Sequence, residues 1–467
     1  KGVRIDGSNA TIIGNNQGEF IADRNKIVRV WSDHGAWPLL TVKMYIDETG
    51  NTDILLKQQT YFEDKFTHYT KRSIDYEGNN TLTFNDNVYY GTVLEHLILQ
   101  NIVGYFNTGK KGFTRLEDAD WNDGLDMANK EGETVAFTMF YLNNLRVIVD
   151  LLNNIETNEV QLYESLMNLI NEEINLGKYF DLVSVKKGLN KVNVDKEALI
   201  SKLSELIKIK ENFINKTAII NNTHYQSYVN NDGNYVDSFD KASLIPQAMA
   251  LVNNIPSKEF AGKIATFIRT KLFDQKVGGY RLNSNYNEVL LNMGRAYGFA
   301  YGHKENGAVF SHMATMYNYG LYNYDLVFEG REGINTLLDK ALDPSSQTLA
   351  GVPEYFTDRG VGKYFYLTGT ASWLIKLIRE QIFGIRLSYG KLEFKPKLTK
   401  EDFIDGVASV ETYLFNKKIT IKYINDKNLD YNEYKVSKII INNEETKNRV
   451  FTNIDSSLVE VILDENN

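Results

Sequence analysis

Cysteine is absent from all 467 residues, which excludes structural disulfides and thiol chemistry alike. Histidine is scarce: six are scattered along the chain, none in a His-Glu-x-x-His spacing, so no metal site is expected. No unbroken run of 18 apolar residues occurs, which argues against a membrane-spanning helix. Positive charge is in the minority, 52 Lys and Arg against 60 Asp and Glu, for a net charge of −8. That balance argues against nucleic acid and anionic membrane surfaces as partners and suits a neutral substrate. What remains is an ordinary globular composition, 43% apolar and 24% charged, long enough for two or three domains. Aromatics are plentiful (29 Tyr, 24 Phe), which serves sugar stacking and a large core equally well.

The densest chemistry lies between Arg115 and Ala128. Five carboxylates (Glu117, Asp118, Asp120, Asp123, Asp126) share that stretch with Trp121. An apolar run at helical spacing follows at once, from Val135 to Leu151. A polar, glycine-punctuated turn opening onto a buried helix is how a scaffold presents catalytic side chains. Carboxylates crowded in one cleft cannot all stay ionised, so at least one is expected to hold a proton near neutral pH. Glycosidic bond cleavage needs such an acid, and a tryptophan face accepts a sugar ring. An acidic loop capping a helix, or an oxygen-ligand calcium site, has the same composition.

Elsewhere the chain reads as helix after helix. Residues 1–30 are rich in Gly and Asn and read as loop with short extended pieces. Trp31-Ser-Asp-His-Gly-Ala-Trp37 leads into a helix ending near Gly50, with Asp33 and His34 placed either to meet a sugar or to cap it. The helix over 92–106 carries His96 on an apolar face, the usual place of a satisfied core histidine. Further helices are expected over 132–152, 157–177, 195–212, 238–252, 257–272, 308–323, 328–341 and 367–383. A polar insertion is expected near 221–235, and a long, glycine-marked active-site connection over 273–306. Past Gly384 the period drops to two, predicting a small antiparallel β-domain. Helices without βα alternation leave a helical solenoid or a closed helical toroid, and the lack of sequence repeats disfavours the solenoid.

Three blocks together carry a resemblance. Ala119-Asp-Trp-Asn-Asp-Gly-Leu-Asp-Met-Ala128, Lys304-Glu-Asn-Gly-Ala-Val-Phe-Ser-His-Met313, and Val352-Pro-Glu-Tyr-Phe-Thr-Asp-Arg-Gly360 running on to Thr368-Gly-Thr-Ala-Ser-Trp373 stand in order along the chain. They resemble the inverting phosphorylases of glycoside hydrolase family 94. The wording around Val-Pro-Glu-Tyr, Ala-Ser-Trp and Trp31–Trp37 is closest to 1,2-β-oligoglucan phosphorylases and the phosphorylase-like part of cyclic β-1,2-glucan synthases.

The resemblance implies a mainly α fold: an (α/α)6 catalytic barrel over 1–385, partial at its N-terminal end, then a β-sandwich or jelly-roll-like domain over 386–467. It implies Asp123 as general acid, with Trp121, Asn122, Asp120, Lys304 and Glu305 on the sugar. His312, Thr368, Gly369 and Arg359 are implied on phosphate. The co-substrate is then inorganic phosphate, with no organic cofactor and no metal. Relatives read Arg-Gly-Arg-Gly-Met-Tyr where this chain has Arg359-Gly-Val-Gly-Lys-Tyr364, so one guanidinium is missing and Lys363 is its expected substitute. Members also carry an N-terminal β-sandwich and linker, so this chain reads as the carboxy-terminal portion of a longer protein, with a cytoplasmic setting and a homodimer as the expectations. The readings kept open beside phosphorolysis are an (α/α)6 hydrolase, which needs a second carboxylate at roughly 6.5–9.5 Å from the acid, and a non-catalytic carbohydrate-binding fragment.

Overall fold

The computed structural model describes residues 1–16, 19–21, 28–70, 72, 73, 76, 78, 80–365 and 369–466. They form two compact units. The first comprises Lys1–Lys43, Thr52–Ile255 and Asn283–Asn306; the second comprises Met44–Asn51, Pro256–Leu282 and Gly307–Asn467.

Among the described residues seven α-helices arise before Pro256: α1 (Trp37–Thr49), α2 (Val93–Phe106), α3 (Val135–Asn153), α4 (Glu164–Ile170), α5 (Leu176–Val183), α6 (Lys196–Thr217) and α7 (Leu244–Val252). In the first unit α3 is the hub, packing against α2, α6 and α7. By length and composition α3 is apolar enough to cross a membrane, although its apolar positions are not contiguous. Yet 72% of its apolar window is buried inside the unit, so that apolarity is core. Thr134 caps its N-terminus, accepting from the Phe137 N–H at 3.5 Å. His96 on α2 is a core residue: Nδ1 lies 2.8 Å from Thr92 O, and its ring stacks on Tyr61 at 3.8 Å. Burial pushes it down to about 4, so it stays neutral.

Two segments depart from the sequence reading. The helix expected over 157–177 is a strand, Glu159–Tyr163, followed by α4 and then α5. Val160 and Leu162 are buried while Glu159 and Gln161 are exposed, a period of two, and the strand pairs antiparallel with Lys191–Asp195. The insertion near 221–235 is not a surface excursion throughout. Tyr228–Val229 is a buried strand pairing with Glu133–Thr134, the strand that leads the acidic turn into α3.

The second unit holds α8 (Lys258–Leu272), α9 (Ser311–Asn323), α10 (Val327–Leu342) and α11 (Gly369–Lys376), with α9 packed on α10 and α11. The helix expected over 367–383 is described from Gly369 and widens into a π-helix over Leu377–Ile382. The C-terminal strands form a five-stranded sheet in the order 407–414, 417–424, 458–465, 434–441, 444–446. Its core gathers Ile419, Ile421, Tyr423, Ile439, Val459 and Val461. Three of its four pairings are antiparallel, but 417–424 and 458–465 run parallel. Parallel neighbours need a long connection, and residues 425–457 supply one that includes the hairpin of 434–446.

Candidate active site

The acidic turn is held at both ends. Thr114–Arg115 pairs with Glu133–Thr134, closing the loop that contains all five carboxylates. Inside it, Asp120 is 1% exposed and both its oxygens are engaged. The Asn122 N–H donates to Oδ1 at 2.8 Å, and the Thr134 hydroxyl donates to Oδ2 at 2.9 Å. Asn122, also buried, accepts from the Gly124 N–H at 3.1 Å. Asp120 thus ties the turn to the cap of α3. Burial pushes its carboxyl up to about 7, against the pull of those hydrogen bonds and with the charge of Asp33 adding to the rise.

Asp33 is there because the 30–34 segment lies along the turn. The Ser32 N–H donates to Ala119 O at 2.8 Å, the Asp118 N–H donates to Val30 O, and Trp31 bridges Glu117 and Ala119. Asp33 is 8% exposed and accepts from the Trp37 indole N–H at 2.8 Å. His34 stands 5.0 Å from the Trp31 ring.

Asp123 is the exception in the turn, with 63% of its side chain exposed. Its one close partner among the described residues is Arg295, whose Nη2 lies 3.1 Å from Oδ2. Arg295 Nη1 is 2.5 Å from Asp126 Oδ2, and its backbone N–H donates to Asp126 Oδ1 at 3.1 Å. A guanidinium therefore stands where a calcium ion would have to bridge these carboxylates. Among the described residues no three His, Asp or Glu side chains converge to hold a metal. Trp121 is half-buried beside them.

The glycine-marked connection comes to this turn: the Ala296 N–H donates to Gly124 O at 2.9 Å. Gly294 adopts φ 135°, and a methyl group there would sit 2.3 Å from Gly124 O, so only glycine fits. Lys304, at φ 46°, places Nζ 5.8 Å from the centre of the Phe299 ring. Glu305 is half-buried, and its Oε2 has no hydrogen-bond partner among the described residues. Burial raises its proton affinity, and the charge of Asp123 raises it further. Arg295 was not singled out by sequence reasoning; its signal was an arginine following the glycine that such a close approach demands.

The remaining calls fall in the second unit, the chain changing units at Asn306/Gly307, inside the Lys304–Met313 block. There the second and third blocks meet in one sheet: Val309–Phe310 pairs with Tyr355–Phe356, which pairs with Gly362–Lys363. His312 follows directly, in the first turn of α9. Burial pushes it down to about 4, leaving a neutral imidazole. Gly369, first residue of α11, lies against it: a methyl on Gly369 would stand 2.3 Å from His312 Cε1. Arg359 is exposed in the turn closed by the Gly360 N–H to Thr357 O bond, and Lys363 is also exposed. Thr368 lies outside the described residues.

Residues 18–181 match the model of the glycosyl hydrolase 94 superfamily, catalytic domain. Solabiose phosphorylase of Paenibacillus borealis is 22% identical over 387 residues, 80% of this chain, and the match spans 42% of that relative's length. Among solved structures, a sialidase shares a TM-score of 0.45 at 12% identity, over 72% of this chain and 28% of that one. A GH78 family rhamnosidase of Bacillus sp. GL1 shares a TM-score of 0.45 at 11% identity, over 85% of this chain and 32% of that one.

Proposed function

We propose that this chain carries the chemistry of an inverting glycoside phosphorylase. A β-linked gluco-oligosaccharide, β-1,2 by the wording of its motifs, reacts with inorganic phosphate to give α-glucose 1-phosphate and a sugar shortened by one unit. The observation that carries this reading is Asp123: in a turn whose neighbouring Asp120 and Asn122 are buried and engaged, it alone of the three presents its carboxyl to solvent. Protonated, it gives its proton to the glycosidic oxygen as the bond to the anomeric carbon breaks. A phosphate oxygen attacks that carbon from the opposite face, so configuration inverts. Phosphate arrives anionic and needs no carboxylate to activate it; it needs donors. His312, the N–H of Gly369 at the start of α11, Thr368, and the side chains of Arg359 and Lys363 are the proposed donors. Trp121 stacks the sugar, while Asp120, Asn122, Lys304 and Glu305 orient its hydroxyls or the turn that meets them. An (α/α)6 barrel over 1–385 with a β-domain over 386–467 is the architecture this reading assumes.

A second reading has its own observation. Glu305, near enough to Asp123 for their charges to interact and with one buried oxygen unpartnered, is a candidate base for a hydrolase. One experiment separates them. With sophorose and longer β-1,2-glucans, phosphate is varied while glucose 1-phosphate and free glucose are followed together. Phosphorolysis gives glucose 1-phosphate that saturates with phosphate; steady glucose release without phosphate means hydrolysis. β-1,3- and β-1,4-linked disaccharides in the same assay decide the linkage.

A further inference from the structure

Arg295 takes no part in the displacement itself, yet it touches the acid. The loop that bears it is joined to the turn by three backbone N–H donors: Ala296 to Gly124 O at 2.9 Å, Met127 to Met293 O at 3.3 Å, and Arg295 to Asp126 Oδ1 at 3.1 Å. The guanidinium then spans Asp123 at 3.1 Å and Asp126 at 2.5 Å. Glu305 interacts electrostatically with both Asp123 and Arg295, and Lys304 with Glu305. Among the described residues the charges around Asp123 are therefore one cation in contact, two carboxylates that interact with it or with that cation, and one lysine that interacts with Glu305.

These neighbours act in opposite senses. A guanidinium in contact favours the carboxylate of Asp123, whereas Asp126 and Glu305 favour its acid form. An acid catalyst has to be an oriented side chain in the empty site and a proton donor once sugar is bound. Resting on the assignment of Asp123 as that acid, we propose that Arg295 is a positioning residue that holds Asp123 and sets its proton occupancy in opposition to Glu305. Asp126 anchors the guanidinium so that its charge is shared.

The test reads Asp123 directly. The intact chain is labelled with aspartate carrying 13C at the side-chain carboxyl, and the Asp123→Asn spectrum assigns the resonance. Titration should place the midpoint of Asp123 higher in Arg295→Gln than in the unsubstituted protein, by roughly 0.5–1 pH unit for a pair this exposed. In Glu305→Gln the midpoint should move lower, and in Arg295→Lys it should stay close to its original position. Where turnover is measurable, the alkaline limb of kcat/KM should follow the same order. An unmoved or lowered midpoint in Arg295→Gln, or the same direction in Arg295→Gln and Glu305→Gln, overturns the proposal. Should Arg295→Gln fail to fold, a midpoint that does not fall in Glu305→Gln overturns it. The titration needs no turnover, so loss of the phosphorolysis reading, seen as phosphate-independent glucose release, is a separate result.

Discussion

Asp123 and Asp120 are three residues apart and chemically opposite. Asp120 is enclosed and doubly hydrogen-bonded; Asp123 is exposed beside a guanidinium. Asp123→Asn keeps the size and the Arg295 contact but has no proton to give. Turnover of an unactivated oligosaccharide should fall at least about 100-fold, with sugar affinity by calorimetry nearly unchanged; a near-native rate would remove Asp123 from the mechanism. In the proposed mechanism His312 is the corresponding residue on the phosphate side. Its neutral ring offers one N–H rather than a charge, and its loss in His312→Ala should raise the KM for phosphate roughly 10- to 100-fold, far more than the KM for sugar. Equal effects on both constants would make it a packing residue instead.

At the scale of elements, the turn and α3 behave as one piece because Thr134 serves both. Its hydroxyl accepts from the Phe137 N–H and donates to Asp120 Oδ2. Thr134→Ala should therefore cost about 1 kcal/mol of stability from the lost cap, read as a lower urea midpoint. Because it also frees Asp120, kcat should fall more than that stability loss accounts for; an unchanged kcat would mean the turn holds without it. The acidic turn and α3 were legible because carboxylate density and a 3.6 period are local signals. The strand at 159–163 was not, since Val160, Leu162 and the residues after them also fit a helical face, and pairing with 191–195 decided between the two.

For the molecule as a whole, buried acids and histidines make stability depend on pH in opposing directions. Asp120 is raised to about 7 and Asp237 to about 6, chiefly by burial, so the folded state keeps protons there that the unfolded chain releases near 4. Their contribution is fully present below that unfolded value and is lost as pH rises through about 6 to 7. His96 and His312, held down near 4 by burial, contribute the reverse: stability gained as pH rises from about 4 to 6.5. Asp120→Asn isolates one term. Between pH 5 and 7.5 the variant should lose less stability in urea melts than the unsubstituted protein, by a few kcal/mol at most; parallel profiles would show that Asp120 is ionised throughout. By itself the sequence determined what short-range chemistry can specify: no thiols, a helical chain with period-two strands at its end, and a carboxylate-rich turn with Asp123 in it. Tertiary structure decided the rest. Whether an acid is enclosed like Asp120 or exposed like Asp123 depends on what packs over it, and Arg295 reaches that turn across 169 residues of chain. Composition and period report a residue's neighbours along the chain, while burial and charge pairing are set by neighbours in space.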